Sequence, residues 1–483
     1  MVSLYIFDET TEKIAIAMED NQVKELLIDR PDHPQQVGNI YLGKVENIEK
    51  GLQAAFIDFG AEKKGFLQRK ELPFSPDKRI ESIITEGQTL IVQVMKDAYE
   101  SKGAKLTANI TLPGQHLIYL PYGRHVVVSK KLSASIIESK KVLLTTLREK
   151  EEGIIVRTAA SEVEDDILKT EFLLLQAQMN QLFHQVKLSK APSLLFNDSV
   201  ADRLIRSYKL DEIKEINLDS SYRSKQLKER YPTMAKCIKY KNALEQALPT
   251  SMDQLYKQLL DPTVTLQNGI TITIEETEAM VVIDVNSGGF TDSYHHDKTY
   301  VKTNIIAANA IAKQIRLRNL SGIIIIDFIN MKSTKDQPKL VQALKKALKS
   351  DRAHSVIYGF TKLGLLELTR KREAPSIAKL LGETVETKKI NYSPISFVFS
   401  LERTLYQYQS NNVEALLIQV EPKVIELWHQ YIDHEKIEAN IHLSIYFEHS
   451  KGVKGFHIKR AGTEQLIDEY IEKNKDRVID KLV

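Results

Sequence analysis

Four consecutive isoleucines, Ile323 to Ile326, follow Gly322 and end at Asp327. Isoleucine is branched at Cβ, so it suits the pleated surface of a strand better than the crowded turn of a helix. A short apolar run bounded in this way is therefore predicted to be a strand buried on both faces of a layered α/β domain. The surrounding segment, residues 268 to 382, is the most regular part of the sequence.

A second predicted strand also ends in a carboxylate. A hairpin is predicted from residues 270 to 275 and 279 to 285, and Asp284 lies near its end, two residues before Asn286. Ligands of α/β sheets bind beyond the strand ends, and two carboxylates there would supply the hard oxygen ligands that Mg²⁺ prefers. Taken alone, either aspartate is more often a turn former. Only the pair favours a metal site.

Charge is distributed unevenly along the chain. The 483 residues contain 67 Lys and Arg against 64 Asp and Glu, and a net charge of +3 argues against a histone-like or tail-driven nucleic-acid binder. Between Lys332 and Arg372, however, 11 basic residues stand against three acidic ones, a local net charge of +8. Such a segment after Asp327 would attract a polyanion. The alternative is a solvated helix face, which fits the lysines better than the Arg370-Lys371-Arg372 cluster.

Short β runs separated by glycine and charged turns fill residues 38 to 112. Five such strands in about 75 residues are typical of a small closed barrel, commonly of the OB type. Aromatic and basic residues are grouped in it: Phe56, Phe59, Phe66, Lys63, Lys64 and Lys102. This combination is found in proteins that stack bases and neutralise phosphates of single strands. A phenylalanine in a small barrel is as often part of the core.

Arg157 and Thr158 follow a predicted strand at residues 153 to 156, and a guanidinium beside a hydroxyl suits a terminal monophosphate. A surface arginine without a ligand is the more frequent explanation. Residues 190 to 260 are predicted to alternate short strands and helices, with a strand at 204 to 207.

Cysteine usage and the N-terminus indicate the compartment. Cys237 is the single cysteine, which excludes an intramolecular disulfide and a Cys-x-x-Cys metal site and favours a reducing environment. No run of about 18 apolar residues is present, and the acidic start lacks the features of a signal peptide. We therefore predict a cytoplasmic protein.

A series of segments, in order, resembles the ribonuclease E/G family. The matching text is Gly-Asn-Ile-Tyr-Leu-Gly-Lys-Val (38 to 45), Gln-Ala-Ala-Phe-Ile-Asp-Phe-Gly (53 to 60), Ile-Val-Arg-Thr-Ala (155 to 159), Ile-Asp-Val-Asn-Ser-Gly-Gly-Phe (283 to 290), Gln-Ile-Arg-Leu-Arg-Asn-Leu (314 to 320), Ile-Ile-Ile-Ile-Asp-Phe-Ile (323 to 329) and Leu-Thr-Arg-Lys-Arg (368 to 372). These segments lie between residues 38 and 372, so the resemblance extends over most of the chain.

The resemblance implies a multidomain α/β and β fold. Its parts would be an RNase H-like domain in two pieces (1–34 and 196–262), an S1-type OB barrel (35–112), a 5′-sensor region (113–195), a DNase I-like catalytic domain (263–386) and a small α+β C-terminal domain (387–483).

The resemblance also implies roles for particular residues. Asp284 and Asp327 would bind catalytic Mg²⁺, with Mn²⁺ as the alternative ion, and Asn286 would assist them. Single-stranded RNA would contact Phe56, Phe66 and Lys102. The local positive charge, and not the resemblance, adds Arg370, Lys371 and Arg372 as candidates for RNA binding. A 5′-monophosphate would be sensed by Gly114, Ile118, Arg157, Thr158 and His354.

Three positions depart from the family pattern. Residues 373 to 392 contain no cysteine, whereas the family usually has a Cys pair there that shares zinc between subunits. Zinc is therefore not expected, and a homodimer would rest on other contacts. Asn330 occupies a place where the family typically has aspartate, and His354 one where it typically has arginine.

Three functional hypotheses follow. The first is a Mg²⁺-dependent endoribonuclease that cuts A/U-rich single strands in messenger RNA and ribosomal RNA precursors, leaving 5′-phosphate and 3′-hydroxyl ends. The second is a non-catalytic RNA-binding or ribosome-assembly factor. The third is a metal-dependent phosphoesterase acting on DNA or small nucleotides.

Overall fold

A computed structural model of the chain describes residues 1–73, 78–98, 102–130, 132–287, 296–331, 334–384, 390–408 and 413–482. The chain divides into two compact units. Unit 1 consists of Met1–Leu4, Pro34–Ile216 and Tyr222–Lys239, and unit 2 consists of Tyr5–His33, Asn217–Ser221 and Tyr240–Val483. No helix in the described residues is long and apolar enough to cross a membrane.

The strands are β1 (Val2–Phe7), β2 (Lys13–Glu19), β3 (Gln22–Asp29), β4 (Ile40–Glu49), β5 (Ala54–Asp58), β6 (Gly65–Gln68), β7 (Thr89–Lys96), β8 (Lys105–Thr107), β9 (Leu112–Pro113), β10 (Leu117–Leu120), β11 (Val126–Val128), β12 (Gly153–Val156), β13 (Ser193–Phe196), β14 (Ile213–Leu218), β15 (Ile238–Tyr240), β16 (Thr263–Thr265), β17 (Thr271–Glu276), β18 (Met280–Asn286), β19 (Gly322–Asp327), β20 (Ser355–Phe360), β21 (Leu366–Arg370), β22 (Gly382–Thr384), β23 (Ile390–Tyr392), β24 (Ala415–Val420), β25 (Ser444–His449), β26 (Phe456–Gly462) and β27 (Ile479–Lys481).

The α-helices are α1 (Ala134–Leu147), α2 (Asp165–Leu188), α3 (Val200–Ile205), α4 (Ser221–Arg230), α5 (Met252–Leu260), α6 (His296–Leu317), α7 (Gln337–Leu348), α8 (Ile377–Leu381), α9 (Pro394–Tyr408), α10 (Pro422–Tyr431), α11 (His434–Asn440) and α12 (Glu464–Lys473).

Strands β4 to β8 form a closed barrel in unit 1. Their order is β4-β5-β6-β8-β7, β7 pairs back onto β4, and β13 adds to β4. Strands β6 and β8 are parallel. Alternate side chains such as Val45, Ile57 and Leu67 fill the interior. The prediction of a closed five-stranded, OB-like barrel is confirmed.

A four-stranded sheet of order β11-β12-β10-β9 follows the barrel in unit 1. Helix α2 buries Leu168, Phe172, Leu175, Met179 and Leu182, which recur at helical spacing along one face. These residues share a hydrophobic cluster with the sheet, so α2 fixes the position of the loops at the strand ends.

The strand predicted at residues 204 to 207 is wrong, because this segment lies mainly in and just after helix α3. The Ser199 hydroxyl accepts a hydrogen bond from the Asp202 N–H at 3.2 Å and caps the helix. Val200 and Leu204, four residues apart, then face the core together.

Unit 2 contains a six-stranded sheet of order β16-β17-β18-β19-β21-β20. Strands β18 and β19 are parallel, and the predicted hairpin is the antiparallel pair β17 and β18. Helices α6 and α7 bury their apolar residues against Ile324 and Ile326 of β19. Because successive residues of a strand point to opposite faces, Ile323 and Ile325 belong to the other face.

The prediction that β19 is buried on both faces is wrong. Ile323 is 47% exposed, whereas Ile324 and Ile326 are fully buried. The four consecutive isoleucines thus belong to a strand with one fully buried face. Strand β19 pairs antiparallel with β21, and its parallel neighbour β18 pairs antiparallel with β17. Such a sheet is compatible with one exposed face, since antiparallel pairing does not require helices on both sides.

A two-stranded sheet, β22-β23, and two larger sheets complete the described fold. One has the order β15-β14-β1-β2-β3 and the other, near the C-terminus, β26-β24-β25-β27. Helices α9 and α10 pack on the C-terminal sheet around Trp428 and Phe447. The RNase H-like, S1-type, 5′-sensor and DNase I-like assignments, with their boundaries, stay predictions.

Candidate active site and RNA-binding surfaces

Asp284 and Asp327 lie directly opposite each other on the adjacent parallel strands β18 and β19. Neighbouring strands are about 4.8 Å apart, so paired residues project side by side from the sheet. Asp284 is half-buried and Asp327 is exposed. Like charges placed directly opposite each other are destabilising in a sheet. A cation between the two carboxylates would remove that repulsion.

Asn286 completes the strand-end group. Its Nδ2 donates a hydrogen bond of 2.6 Å to Asp284 Oδ2. The two residues are separated by one position on β18, so both side chains project from the same face. Asn286 therefore orients the Asp284 carboxylate.

A buried asparagine holds the chain beyond Asp327. Asn304 of α6 is fully buried. Its Nδ2 donates to the Ile329 carbonyl at 2.8 Å, and its Oδ1 accepts from the Ile329 N–H at 3.1 Å. This pair of bonds fixes the backbone two residues after Asp327. Sequence reasoning missed Asn304, because an asparagine in a helix gives no sign of a backbone partner 25 residues later.

The donor set is small and consists of oxygen atoms. No group of three or more His, Cys, Asp and Glu within the described residues is arranged to hold a metal ion. Residues 288 to 295 lie outside the described residues. Two adjacent carboxylates fit Mg²⁺, which is commonly bound by one or two carboxylates and completes its shell with water and phosphate oxygens.

On the barrel, Phe56 and Phe66 form an aromatic pair. They lie opposite each other on β5 and β6, with ring centroids 5.8 Å apart and both rings half-buried. Phe59, by contrast, is 1% exposed and belongs to the core. Lys102 is exposed. The pair offers a surface on which bases could stack.

The predicted 5′-phosphate residue Arg157 holds a loop in unit 1. Its Nη1 donates to the carbonyls of Gly114 and Gln115 at 3.0 and 3.1 Å, and its Nη2 donates to the Arg206 carbonyl at 3.2 Å. Burial lowers the pKa of the Arg157 guanidinium. Arg157 is therefore a partly buried, ordered arginine and not a surface side chain. Thr158, beside it, is exposed.

Glu171 of α2 binds backbone N–H groups of the same loop. Its Oε1 accepts hydrogen bonds from the His116 and Leu117 N–H groups at 2.8 and 3.1 Å, and its Oε2 lies 2.6 Å from His116 Nδ1. A Cβ on Gly114 would lie only 2.1 Å from Glu171 Oε1. Glycine at position 114 is thus required by the close approach of this carboxylate.

Of the other predicted sensor residues, Ile118 is half-buried on β10 and belongs to unit 1. His354 is exposed and belongs to unit 2, where its carbonyl accepts from the Lys371 N–H at 2.9 Å. Sequence reasoning missed Glu171, because nothing in a helical pattern distinguishes a carboxylate that binds a distant loop.

Arg370 requires a correction. It is 5% exposed and makes a bidentate pair with Asp351, with N–O distances of 2.7 and 3.0 Å. Its Nη1 also donates to Asn319 Oδ1 and to the Leu320 carbonyl. The guanidinium is thus fully engaged inside unit 2, and the geometry argues against an RNA-binding role. Lys371 and Arg372 are exposed.

A family model described as the ribonuclease E/G family matches residues 111–373. The chain belongs to this family. It is 35% identical to ribonuclease E of Nostoc sp. over 387 residues, covering 77% of this chain and 56% of that protein. It is 30% identical to ribonuclease G of Escherichia coli (strain K12) over 468 residues, covering 91% of this chain and 95% of that protein.

The ribonuclease E/G match contains Arg157, Asp284 and Asp327, whereas the aromatic pair of the barrel lies before its first residue. The chain spans just over half the length of the ribonuclease E relatives from Nostoc sp. and Synechocystis sp., at 56% and 57%.

Proposed function

We propose that this chain is a metal-dependent endoribonuclease acting on single-stranded RNA. The observation that carries the proposal is the direct pairing of Asp284 with Asp327, in a chain that belongs to the ribonuclease E/G family. Strand-end carboxylates at the edge of an α/β sheet lie where substrates of such sheets bind.

Asp284 and Asp327 would hold Mg²⁺, or Mn²⁺ in its place. The ion would supply Lewis acidity at the phosphodiester and lower the pKa of a bound water. Asn286 keeps the Asp284 carboxylate in one orientation through its 2.6 Å hydrogen bond. Asn304 restrains the backbone after Asp327. Both contacts would limit movement of the carboxylates when RNA binds, which favours a productive geometry.

The substrate would be single-stranded and rich in A and U. Base stacking on Phe56 and Phe66 requires unpaired bases, and the half-buried aromatic pair supports this requirement. Lys102, Lys371 and Arg372 would contact phosphates. Cleavage would leave 5′-phosphate and 3′-hydroxyl ends, with roles in messenger RNA decay and ribosomal RNA processing in the cytoplasm.

A 5′-monophosphate would stimulate cleavage. Arg157 and Thr158, with Gly114 and Ile118, would form its binding site. The role of His354 stays a prediction. The partly buried guanidinium of Arg157 supports this proposal, because an ordered arginine binds phosphate with a smaller entropic cost than a mobile one. A homodimer, if formed, would not depend on a zinc link.

Incubation of the purified protein with a 5′-monophosphorylated A/U-rich oligoribonucleotide tests the proposal. We expect internal cleavage with Mg²⁺ or Mn²⁺, none with chelator, and products with 5′-phosphate and 3′-hydroxyl ends. A hairpin-paired version of the same oligonucleotide should resist cleavage. Products that are unaffected by chelator would contradict metal dependence.

The alternative is a non-catalytic RNA-binding or ribosome-assembly factor. It is favoured by Asn330, an exposed amide three residues after Asp327 where the family typically has a carboxylate. In that case the protein would bind the oligonucleotide without cleaving it, whether Mg²⁺, Mn²⁺ or chelator is present.

A further inference from the structure

The aromatic pair of the barrel is part of a longer row of side chains. Phe56 pairs with Phe66, Phe66 pairs with Lys105 of β8, and Lys105 pairs with Lys96 of β7. The row thus crosses four neighbouring strands in the order β5-β6-β8-β7. On the other side of β5, Asn47 of β4 pairs with Phe56. Two aromatic rings are therefore followed by two lysines on one line.

All four side chains project outward from the barrel. Lys96 is exposed, and Phe56, Phe66 and Lys105 are half-buried. Leu67 and Leu106, which follow Phe66 and Lys105 on their strands, are fully buried in the core. Lys96 lies just after a register shift in β7. Each residue lies beside the next at the strand spacing of about 4.8 Å, so the row is about 14 Å long.

The two lysines are placed at an energetic cost. Directly opposite like charges destabilise a sheet, and Lys96 and Lys105 occupy such a pair. Among the described residues, Lys105 forms an ion pair with Glu71, with Nζ 3.5 Å from Oε1, and no such pair is found for Lys96. An anion lying across both ammonium groups would offset this repulsion. The aromatic neighbours indicate which anion, because stacking rings beside cations suit a single-stranded nucleic acid.

We propose that Lys105 and Lys96 extend the aromatic pair into a track for single-stranded RNA. Bases stack on Phe56 and Phe66, and the two following phosphates lie beside Lys105 and Lys96, so that the strand crosses the barrel from β5 to β7. This inference rests on the proposed function, since that function names RNA as the ligand. It adds two binding residues and a direction across the barrel.

The proposal predicts a measurable electrostatic contribution. Each phosphate neutralised on a single strand lowers the slope of log K against log salt by about 0.7. Loss of both lysines should therefore reduce the magnitude of the slope by about 1.4. Loss of the phenylalanines should weaken binding mainly without a change in slope, because stacking releases no counterions.

The experiment measures anisotropy of a 3′-fluorescein, 5′-hydroxyl, A/U-rich RNA of twelve nucleotides with the full chain, in chelator and at several salt concentrations. We expect Lys96→Ala/Lys105→Ala to raise the Kd about tenfold at roughly 0.1 M salt and to flatten the slope. Lys105→Arg should bind like the wild type. Lys50→Ala, an exposed residue in the turn between β4 and β5, is the matched control and should change little.

Unchanged affinity and slope in the double lysine variant would overturn the inference. Phe56→Ala/Phe66→Ala, measured in parallel, separates this failure from that of the barrel as an RNA site. If the phenylalanine variant binds weakly while the lysine variant binds normally, only the track is wrong. If neither variant changes binding, both the track and the barrel's proposed role in RNA binding fail. Thermal unfolding of each variant verifies that the substitutions leave the fold intact.

Discussion

Asp284 and Asp327 are cross-strand neighbours on two parallel strands, so the fold holds two carboxylates side by side at one sheet edge. Helices α6 and α7 pack on one face of these two strands, where Ile283, Ile324 and Ile326 are buried. The backbone positions of the two aspartates cannot move apart without disrupting this core. The fold therefore keeps two negative charges on neighbouring strands, and a bound cation would offset their repulsion.

Removal of one charge should stabilise the metal-free protein. We expect Asp284→Asn to increase the free energy of unfolding by about 0.5 kcal/mol in chelator, because it eliminates the cross-strand repulsion. Mg²⁺ should raise the melting temperature of the wild type and have a smaller effect on the variant. Differential scanning calorimetry measures both effects. Asp468→Asn, at an exposed site on α12, serves as the control; equal Mg²⁺ stabilisation of all three proteins would argue against a site at Asp284.

The 5′-end preference should depend on Arg157 and on the residue that positions its loop. Arg157→Ala should slow cleavage of 5′-monophosphate RNA about tenfold and leave 5′-hydroxyl RNA nearly unchanged, since the guanidinium would contact only the former. Glu171→Gln should have a smaller effect in the same direction, because it weakens the bonds to the His116 and Leu117 N–H groups. Comparison of initial rates on the two RNAs decides the matter; equal slowing of both RNAs would refute a sensing role.

Arg370 and Lys371 should differ sharply although they are adjacent. Arg370→Ala should lower the free energy of unfolding by about 3 kcal/mol, because it leaves the buried Asp351 carboxylate without its partner. Lys371→Ala, at an exposed site, should change stability by less than about 0.5 kcal/mol. Urea titrations of both variants test this contrast. Similar small changes for both would mean that Arg370 is not the interior cation described.

Glu448 should make stability depend on pH. Burial opposes its ionisation, but hydrogen bonds from Lys459, Gln419 and Arg477 outweigh burial and hold its pKa at about 2. Because this pKa is lower in the folded chain than in the unfolded one, the stabilisation is present above about pH 4.5 and disappears as the pH falls towards 2.

Glu448→Gln should therefore cost on the order of 2 kcal/mol at pH 7 and much less near pH 3. Denaturant titrations of wild type and variant across this range give the difference directly. Asp480→Asn, which removes an exposed partner of His449, should show little of this pH dependence. A cost for Glu448→Gln that stays constant with pH would contradict the assignment.

The sequence was sufficient to predict the barrel and the two carboxylate-ended strands. Both depend on local patterns: short β runs with glycine turns in one case, and apolar runs that stop at an aspartate in the other. The direct pairing of Asp284 with Asp327 was not predictable from those patterns, because strand order and register depend on contacts between distant segments. The exposed face of β19 was not predicted, for the same reason. A run of four isoleucines has no alternation of apolar and polar residues from which an exposed face could be inferred.

The partners of individual side chains were the second feature that the sequence could not predict. The basic cluster at residues 370 to 372 looked uniform, yet Arg370 is bound by Asp351 from 19 positions earlier. Glu171 and Asn304 are ordinary helix residues in sequence and become important only where their helices meet a particular loop. Lys105 lies beside Phe66 because strands β6 and β8 pair in parallel.

The most direct test of the central claim is a cleavage assay with Asp284→Asn and Asp327→Asn, each purified and shown to be folded. The substrate is a 5′-monophosphorylated A/U-rich oligoribonucleotide, assayed over a Mg²⁺ titration with a chelator control. We expect each substitution to reduce the cleavage rate at least a hundredfold while RNA binding in chelator is retained. Cleavage by either variant at the wild-type rate would contradict the assignment of these two carboxylates as the catalytic centre.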